Sequence, residues 1–169
     1  MKYTTMLKTI GISAFSLFFA IVLSACKPDT NTTESDSVGA EPPWQNAVMT
    51  VYKSPTCGCC KDWVTYLEEE GFQVTSVDHD DMNTVKTNLG LTDPGLMSCH
   101  TAVIDGYLVE GHVPANDIKK LLTEKPTTIK GLSAPGMPTL SPGMNSRTPK
   151  DYDVLSFSEA GEVAVYSSY

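Results

Sequence analysis

Three cysteines within four positions, Cys57-Gly58-Cys59-Cys60, place the strongest constraint on how this 169-residue chain folds. Residues 48–52, just before them, are mostly apolar and favour a strand, and residues 61–70, just after them, have apolar side chains at helical spacing. The cysteines therefore lie where a strand ends and a helix begins. At such a junction the helix dipole and a nearby lysine, Lys53 or Lys61, favour thiolate. We expect function to depend on this junction and on the residues that face it.

The first 25 residues are predicted to be a signal peptide. Two lysines precede an apolar stretch over residues 10–23, which is short for a membrane span. The order Leu-Ser-Ala-Cys that follows is typical of bacterial lipoproteins and predicts that Cys26 is lipidated. By analogy with such lipoproteins, Lys27 argues against retention in the inner membrane. We therefore predict an exported, periplasm-facing lipoprotein, anchored in the outer membrane and touching the membrane only through its lipid.

The segment after the leader is predicted to be a flexible acidic tether. Residues 26–46 are rich in Asp, Thr, Ser, Asn, Glu and Pro and hold few apolar side chains. Residues 47–169 remain for one folded domain. The formal net charge is −8, and it becomes −10 once the leader with its two lysines is removed. Such an acidic exported protein is a poor candidate for binding nucleic acid.

The pattern of the domain predicts an α/β fold with the order β-α-β-α-β-β-α. The predicted elements, in chain order, cover residues 48–52, 59–70, 72–77, 81–89, 101–104, 107–110 and 115–122. Residues 130–169 are predicted to be an extension. It begins with a loop that lacks periodicity and contains Pro-Gly-Met twice, and it ends in a β-hairpin over residues 152–166.

This order, with thiols at the end of the first strand, resembles the thioredoxin fold, which has a central mixed sheet and flanking helices. In that fold the segment before the third strand lies against the active-site cysteines and usually carries a cis-proline. Here the corresponding segment is Met97-Ser98-Cys99-His100-Thr101, which has no proline. The resemblance therefore places Cys99, a fourth thiol, beside the first three.

Four converging thiols point more to a metal site than to a simple redox pair. Cys57 and Cys60 alone would suffice for a thiol-disulfide oxidoreductase, but Cys59 and Cys99 could scramble their disulfide. Thiolates repel one another at low dielectric, and a soft cation such as copper(I) relieves that repulsion. The cramped spacing disfavours a single tetrahedral zinc ion. Adjacent Cys59 and Cys60 instead suit bridging of more than one copper(I) ion, so all four cysteines are predicted to be metal ligands.

Four further residues are candidate ligands: His100, His112, Met137 and Met144. Each also has a structural interpretation, as a hydrogen-bonded core histidine, a capping or proton-donating histidine, or a methionine that packs the tail on the core. Because neighbours on an extended chain point to opposite faces, we expect only one of Cys99 and His100 to face the cluster, and we favour Cys99. A structural disulfide with spare thiols and an inert buried Cys99 remain alternatives.

The motifs together resemble the CopG-type copper-resistance proteins, exported members of a bacterial family long described as a metal-binding domain of unknown function. The resemblance covers about residues 48–144. It rests on these sequences: Tyr52-Lys53-Ser54-Pro55-Thr56-Cys57-Gly58-Cys59-Cys60-Lys61-Asp62-Trp63, Ser98-Cys99-His100-Thr101-Ala102, Glu110-Gly111-His112-Val113-Pro114 and the two Pro-Gly-Met loops. It implies a thioredoxin-like fold that binds copper at Cys57, Cys59, Cys60 and Cys99. It also implies a redox role in periplasmic copper handling.

We carry three hypotheses for the function. The first is an exported protein that holds copper(I) in a thiolate-rich site and either buffers it or cycles its oxidation state in copper resistance, with periplasmic copper-efflux or copper-chaperone proteins as partners. The second is a metal-free thiol-disulfide oxidoreductase that uses Cys57 and Cys60, with Cys99 as resolving thiol. The third is a passive copper metallochaperone. Enzymatic activity, as a copper or thiol oxidoreductase, stays open at this point.

Overall fold

The computed structural model describes residues 41–169, so the predicted leader, Cys26 and most of the predicted tether lie outside it. The described chain forms seven strands and three α-helices. In chain order these are β1 (Val48–Lys53), α1 (Gly58–Glu69), β2 (Gln73–Asp78), α2 (Met82–Asn88), β3 (Thr101–Ile104), β4 (Tyr107–Gly111), α3 (Ala115–Glu124), β5 (Gly131–Ala134), β6 (Asp153–Phe157) and β7 (Val163–Ser168). Among the helices of residues 41–169, none has the length and apolar character needed to cross a bilayer.

The strands of the described chain form one mixed sheet in the order β2-β1-β3-β4-β5-β6-β7. The β1–β2 and β4–β5 pairs are parallel, and the remaining neighbours are antiparallel. The predicted mixed α/β architecture is confirmed, with the predicted element order from β1 to α3 and a C-terminal hairpin formed by β6 and β7.

The main hydrophobic core joins α1 and α3 to the sheet and holds the start of α1 in place. Trp63 and Leu67 of α1 are fully buried with Ile118 of α3. Each such buried side chain contributes about 1.5–3 kcal/mol. The Trp63 Nε1–H group donates to the Val113 carbonyl at 3.0 Å, and the Ala115 amide donates to the Tyr66 hydroxyl at 3.0 Å. These contacts hold α1, and the cysteines at its start, against the chain that enters α3.

The prediction of an irregular loop at the start of the extension is wrong at residues 131–134. These residues form β5, which pairs in parallel with β4 and is buried at every position. A strand buried on both faces lacks the polar–apolar alternation that identifies strands in a sequence. The following hairpin continues the same sheet through the antiparallel pairing of β5 and β6, so the extension is part of the sheet.

Trp44, which lies in the predicted tether, packs on the domain. The Trp44 ring lies 5.6 Å from the Phe72 ring between centroids, and the Lys119 ammonium group lies 4.7 Å from the Trp44 ring centroid. Gly71, which has a φ of +93° and ends the turn after α1, approaches the same indole. The packed part of the chain therefore includes Trp44.

Candidate metal centre

The first three cysteines occupy the turn between β1 and α1. The Cys57 amide donates to the Ser54 carbonyl at 3.1 Å, and Cys57 caps the helix with an extended backbone and without a side-chain cap bond. Cys57 and Cys60 form a disulfide, with their Cα atoms 5.3 Å apart. Cys59 is a free thiol whose Sγ lies 3.7 Å from Cys57 Sγ. Cys60 is fully buried, whereas Cys57 and Cys59 are half-buried and accessible from solvent.

The fourth cysteine reaches the same place from the segment before β3. Strand β3 lies antiparallel to β1, with Tyr52 opposite Thr101, so the chain just before β3 lies beside the chain just after β1. Cys99 is a free, half-buried thiol in this segment. Its sulfur and those of Cys57, Cys59 and Cys60 all lie within 4.8 Å of one another. The four cysteines singled out in the sequence are therefore brought together.

The two candidate histidines also meet Cys99, which corrects one expectation. Cys99 Sγ lies 3.3 Å from His100 Nδ1 and 3.4 Å from His112 Nε2. Cys99 and His100 were expected on opposite faces, but the chain bends at Cys99 and becomes a strand only at Thr101. Because extended geometry does not apply at the bend, both side chains face the same site. Cys99, His100 and His112 thus form a second group of converging ligand atoms.

The tautomer of His112 is fixed by a backbone carbonyl. His112 Nδ1 lies 2.7 Å from the Pro142 carbonyl oxygen, which can only accept a hydrogen bond. Nδ1 must therefore carry the proton, and in the neutral ring Nε2 then presents a lone pair toward Cys99. A carbonyl that holds the far nitrogen in this way is the usual support of a metal-binding histidine. It also suits a histidine that accepts the Cys99 S–H.

His100 is the most enclosed polar group of the site. It is fully buried, with its ring 4.4 Å from that of Trp63 and 5.0 Å from that of His112. Its Nδ1 faces Cys99, while its Nε2 has no hydrogen-bond partner within residues 41–169. A buried nitrogen without a partner costs about 1–3 kcal/mol. The predicted core-hydrogen-bond role is therefore satisfied at only one of its two nitrogens.

Burial favours the uncharged forms of Cys99, His100 and His112. Desolvation lowers the pKa of His100 well below its ordinary value, with nearby His112 and Lys86 adding to the effect. Desolvation likewise lowers the pKa of His112, against the bond to Pro142, which raises it. The pKa of Cys99 is raised to about 11 by burial first and by Cys59 second. The two imidazoles and the Cys99 thiol are therefore neutral near pH 7.

Both Pro-Gly-Met loops border the site. In the first loop the Gly136 amide donates to the Met97 carbonyl at 2.9 Å, and the Ser98 hydroxyl donates to the Gly136 carbonyl. Met137 follows with 60% of its surface exposed. In the second loop Pro142 is buried and bonded to His112, and Met144 is half-buried. The loops are thus held next to Cys99 and His112, with Met137 largely in solvent.

A buried ion pair beneath the site was not predicted from the sequence. The Lys86 ammonium group of α2 donates to Glu110 Oε1 of β4 at 2.5 Å and to Thr101 Oγ1 at 2.8 Å. The Glu110 carboxylate also accepts from the Ser98 amide at 2.6 Å and from the Thr101 hydroxyl at 2.6 Å. A signal existed in the sequence, because Glu110 falls within a run of otherwise apolar residues of β4.

Comparisons with known proteins identify one family model and two similar solved structures. Residues 96–144 match a family model described as "Protein of unknown function, DUF411". The chain is also similar to two solved structures, "Copper resistance protein copG- Form 2" and "Form 1", at 44% sequence identity. The TM-scores are 0.67 and 0.66; the matches cover 73% and 72% of this chain and 98% and 96% of the solved chains. No curated protein gives a significant match.

Proposed function

This chain belongs to the family of the CopG copper resistance protein, and from that premise we propose that it binds copper(I) in a thiolate-rich site and buffers it or handles its redox state in copper resistance. The observation that carries the proposal is the convergence of four cysteine sulfurs within 4.8 Å. Three of these sulfurs come from the start of α1 and one comes from the segment before β3, so both parts of the chain would contribute ligands to the same copper(I) site.

The chemistry of the ligand set supports copper(I). Thiolate sulfur is a soft ligand, and imidazole and thioether extend the set without adding charge. Reduced Cys57, Cys59, Cys60 and Cys99 are the inner ligands in this proposal. The secondary candidates are His112, His100, Met137 and Met144. Among these, His112 has the strongest support, because its Nδ1 is bonded to the Pro142 carbonyl. Adjacent cysteines suit several bridged copper(I) ions better than one tetrahedral zinc ion.

The wider setting is also part of the proposal. We propose a thioredoxin-like fold, supported by the element order from β1 to α3 and by thiols at the start of α1. We also propose an exported, periplasm-facing lipoprotein, lipidated at Cys26 and anchored in the outer membrane, on the strength of its N-terminal sequence. Periplasmic copper-efflux or copper-chaperone proteins would be its partners.

One observation favours a second candidate function. The Cys57–Cys60 disulfide, with half-buried Cys57 accessible from solvent at the start of a helix, suits a thiol-disulfide oxidoreductase. In that function one thiolate of an external dithiol would attack Cys57 and release the Cys60 thiolate. The second thiolate would then attack the mixed disulfide, release the Cys57 thiolate and complete the external disulfide. Cys59, 3.7 Å from Cys57, argues against it because a third thiol within reach can divert the mixed disulfide.

Copper(I) titration of the fully reduced protein, without oxygen, tests the first proposal. We expect more than one copper(I) equivalent bound against a competing chelator, and we expect Cys99→Ser to lower that number. Binding that survives replacement of all four cysteines by serine would refute the proposal. Reduction of a protein disulfide substrate at undiminished rate by the metal-free Cys59→Ser variant would favour the oxidoreductase.

A further inference from the structure

The segment that carries Cys99 lies over a buried ion pair. We infer that Lys86 and Glu110 are positioning residues that fix the bend at Cys99, where the thioredoxin fold usually has a proline; this inference rests on the proposed copper(I) function. Neither residue belongs to the ligand set described above. Glu110 is fully buried and Lys86 is 3% exposed, so their charges have no access to water.

Glu110 holds the chain on both sides of Cys99. Its Oε1 accepts from the Ser98 amide at 2.6 Å, and its Oε2 accepts from the Thr101 hydroxyl at 2.6 Å. The backbone continues this clamp, because the Gly111 amide donates to the His100 carbonyl at 3.0 Å. Residues 98, 100 and 101 are thus tied to one edge of β4, and Cys99 is the residue left free to bend out toward the other sulfurs.

The approach of Ser98 to β4 explains the glycine next to Glu110. Gly111 has a φ of +72°, and a Cβ atom there would lie 2.5 Å from Ser98 Cβ and 2.7 Å from the Ala134 carbonyl oxygen. On its other side Ser98 forms a bridge with Gly136 of the first Pro-Gly-Met loop. The segment before Cys99 is therefore held between β4 and that loop, with little freedom to shift.

The charges of the Lys86–Glu110 pair need an explanation other than stability. A buried ion pair gains little stability over apolar side chains of the same size, so its presence calls for another explanation. A carboxylate is the side chain that can accept from an amide, a hydroxyl and an ammonium group together. Without Lys86, the Glu110 carboxylate would bring negative charge close to the four cysteines, which must become thiolates to bind copper(I). Lys86 neutralises the carboxylate and also donates to the Thr101 hydroxyl.

The test compares Glu110→Gln with Lys119→Met in the fully reduced chain. The first variant keeps the shape of the side chain but removes its charge and one acceptor oxygen. The control breaks a different ion pair, Lys119 with Glu70 at 2.8 Å, which is only partly buried and has no hydrogen bond to residues 98–101. Three quantities are measured: copper(I) affinity against a chelator, the rate of iodoacetamide labelling of Cys99 without copper, and stability in urea.

Because loss of a supporting contact typically costs 10–100-fold in metal affinity, we expect Glu110→Gln to weaken copper(I) binding about tenfold or more under conditions where it is folded. Cys99 should also be labelled several-fold faster, while Lys119→Met should change neither quantity. Unchanged copper(I) affinity and labelling in folded Glu110→Gln, with only its stability reduced, would overturn the inference.

A measurement on the unaltered chain covers the case in which Glu110→Gln does not fold. The Ser98 amide should exchange its hydrogen as slowly as amides in the core of the sheet, because its acceptor is a buried carboxylate. Fast exchange at Ser98 would overturn the inference. Failure of the unaltered chain to bind copper(I) would refute the proposed function instead, and the labelling and exchange results would still decide whether Glu110 fixes the bend.

Discussion

The two Pro-Gly-Met loops offer a matched pair of substitutions that tests how the second loop is packed. Gly136 and Gly143 both have a positive φ, of +66° and +81°, and both stand between proline and methionine. A Cβ atom at Gly136 would meet no atom within 4 Å. A Cβ atom at Gly143 would lie 2.6 Å from the Trp63 backbone nitrogen and 2.7 Å from its Cα. The same change to alanine therefore has different consequences.

The expected costs follow from these distances. Alanine at a positive φ costs about 1–2 kcal/mol, which is the whole effect expected for Gly136→Ala. Gly143→Ala carries that cost and also forces the loop away from the first turns of α1, which adds about 1–3 kcal/mol as overpacking does elsewhere. Urea unfolding of the reduced, copper-free proteins measures both. Movement of the loop also withdraws the Pro142 carbonyl from His112, so we expect Gly143→Ala, and not Gly136→Ala, to weaken copper(I) binding.

Either of two results with the Gly136→Ala and Gly143→Ala variants would refute this reasoning. Equal losses of unfolding free energy in the two variants would mean that the second loop does not press on Trp63. A destabilised Gly143→Ala protein with unaltered copper(I) affinity would mean that the carbonyl of Pro142 has no part in presenting His112.

The remaining predictions concern pH, the disulfide and the N-terminal edge of the domain. The pKa values of His100 and His112 are lower in the folded than in the unfolded protein, so the unfolded state binds more protons below about pH 6.5. The free energy of unfolding of the copper-free protein should therefore fall as the pH falls, by up to about 1.4 kcal/mol per pH unit for each histidine. Urea titrations at pH 7.5 and 5.5 with equal midpoints would contradict this. Protein with the Cys57–Cys60 disulfide intact should bind fewer copper(I) ions than reduced protein, since two of four thiolates are lost; equal stoichiometry in a chelator titration would rule this out. Trp44→Ala should lower the unfolding free energy by about 2–3 kcal/mol because its ring packs on Phe72. An unchanged free energy of unfolding in urea would show that Trp44 does not stabilise the domain.

What could be predicted from the sequence here depended on local signals. The place of Cys57 and Cys60 between β1 and α1 follows from a short apolar strand and a helical spacing of large side chains, both within about twenty residues. The Asp105-Gly106 pair between β3 and β4 is another local signal, typical of a hairpin turn. Placing Cys99 required the resemblance to a known fold, because its distance from Cys57 is set by the pairing of β1 with β3.

The features that were missed depend on contacts distant in the chain. Strand β5 lacks alternation because neighbours cover it on both faces, and its place beside β4 follows a helix and a loop. His100 faces the cluster because Glu110 and Gly111 bend the chain before β3. The glutamate in β4 stands out among apolar neighbours, but its partner, a lysine in α2, is identified only when the fold brings the two side chains to 2.5 Å.

The disulfide and the proposed copper site compete for the same atoms, and this competition gives the two candidate functions opposite signatures. A sulfur bound to another sulfur carries no thiolate charge and is a poor ligand for copper(I). Copper(I) held by Cys57 and Cys60 must therefore protect both from oxidation, whereas an oxidoreductase needs them free to cycle. If copper(I) and a disulfide-forming oxidant are applied together, a copper-binding protein should keep its thiols. A protein that still oxidises at the copper-free rate would be the oxidoreductase.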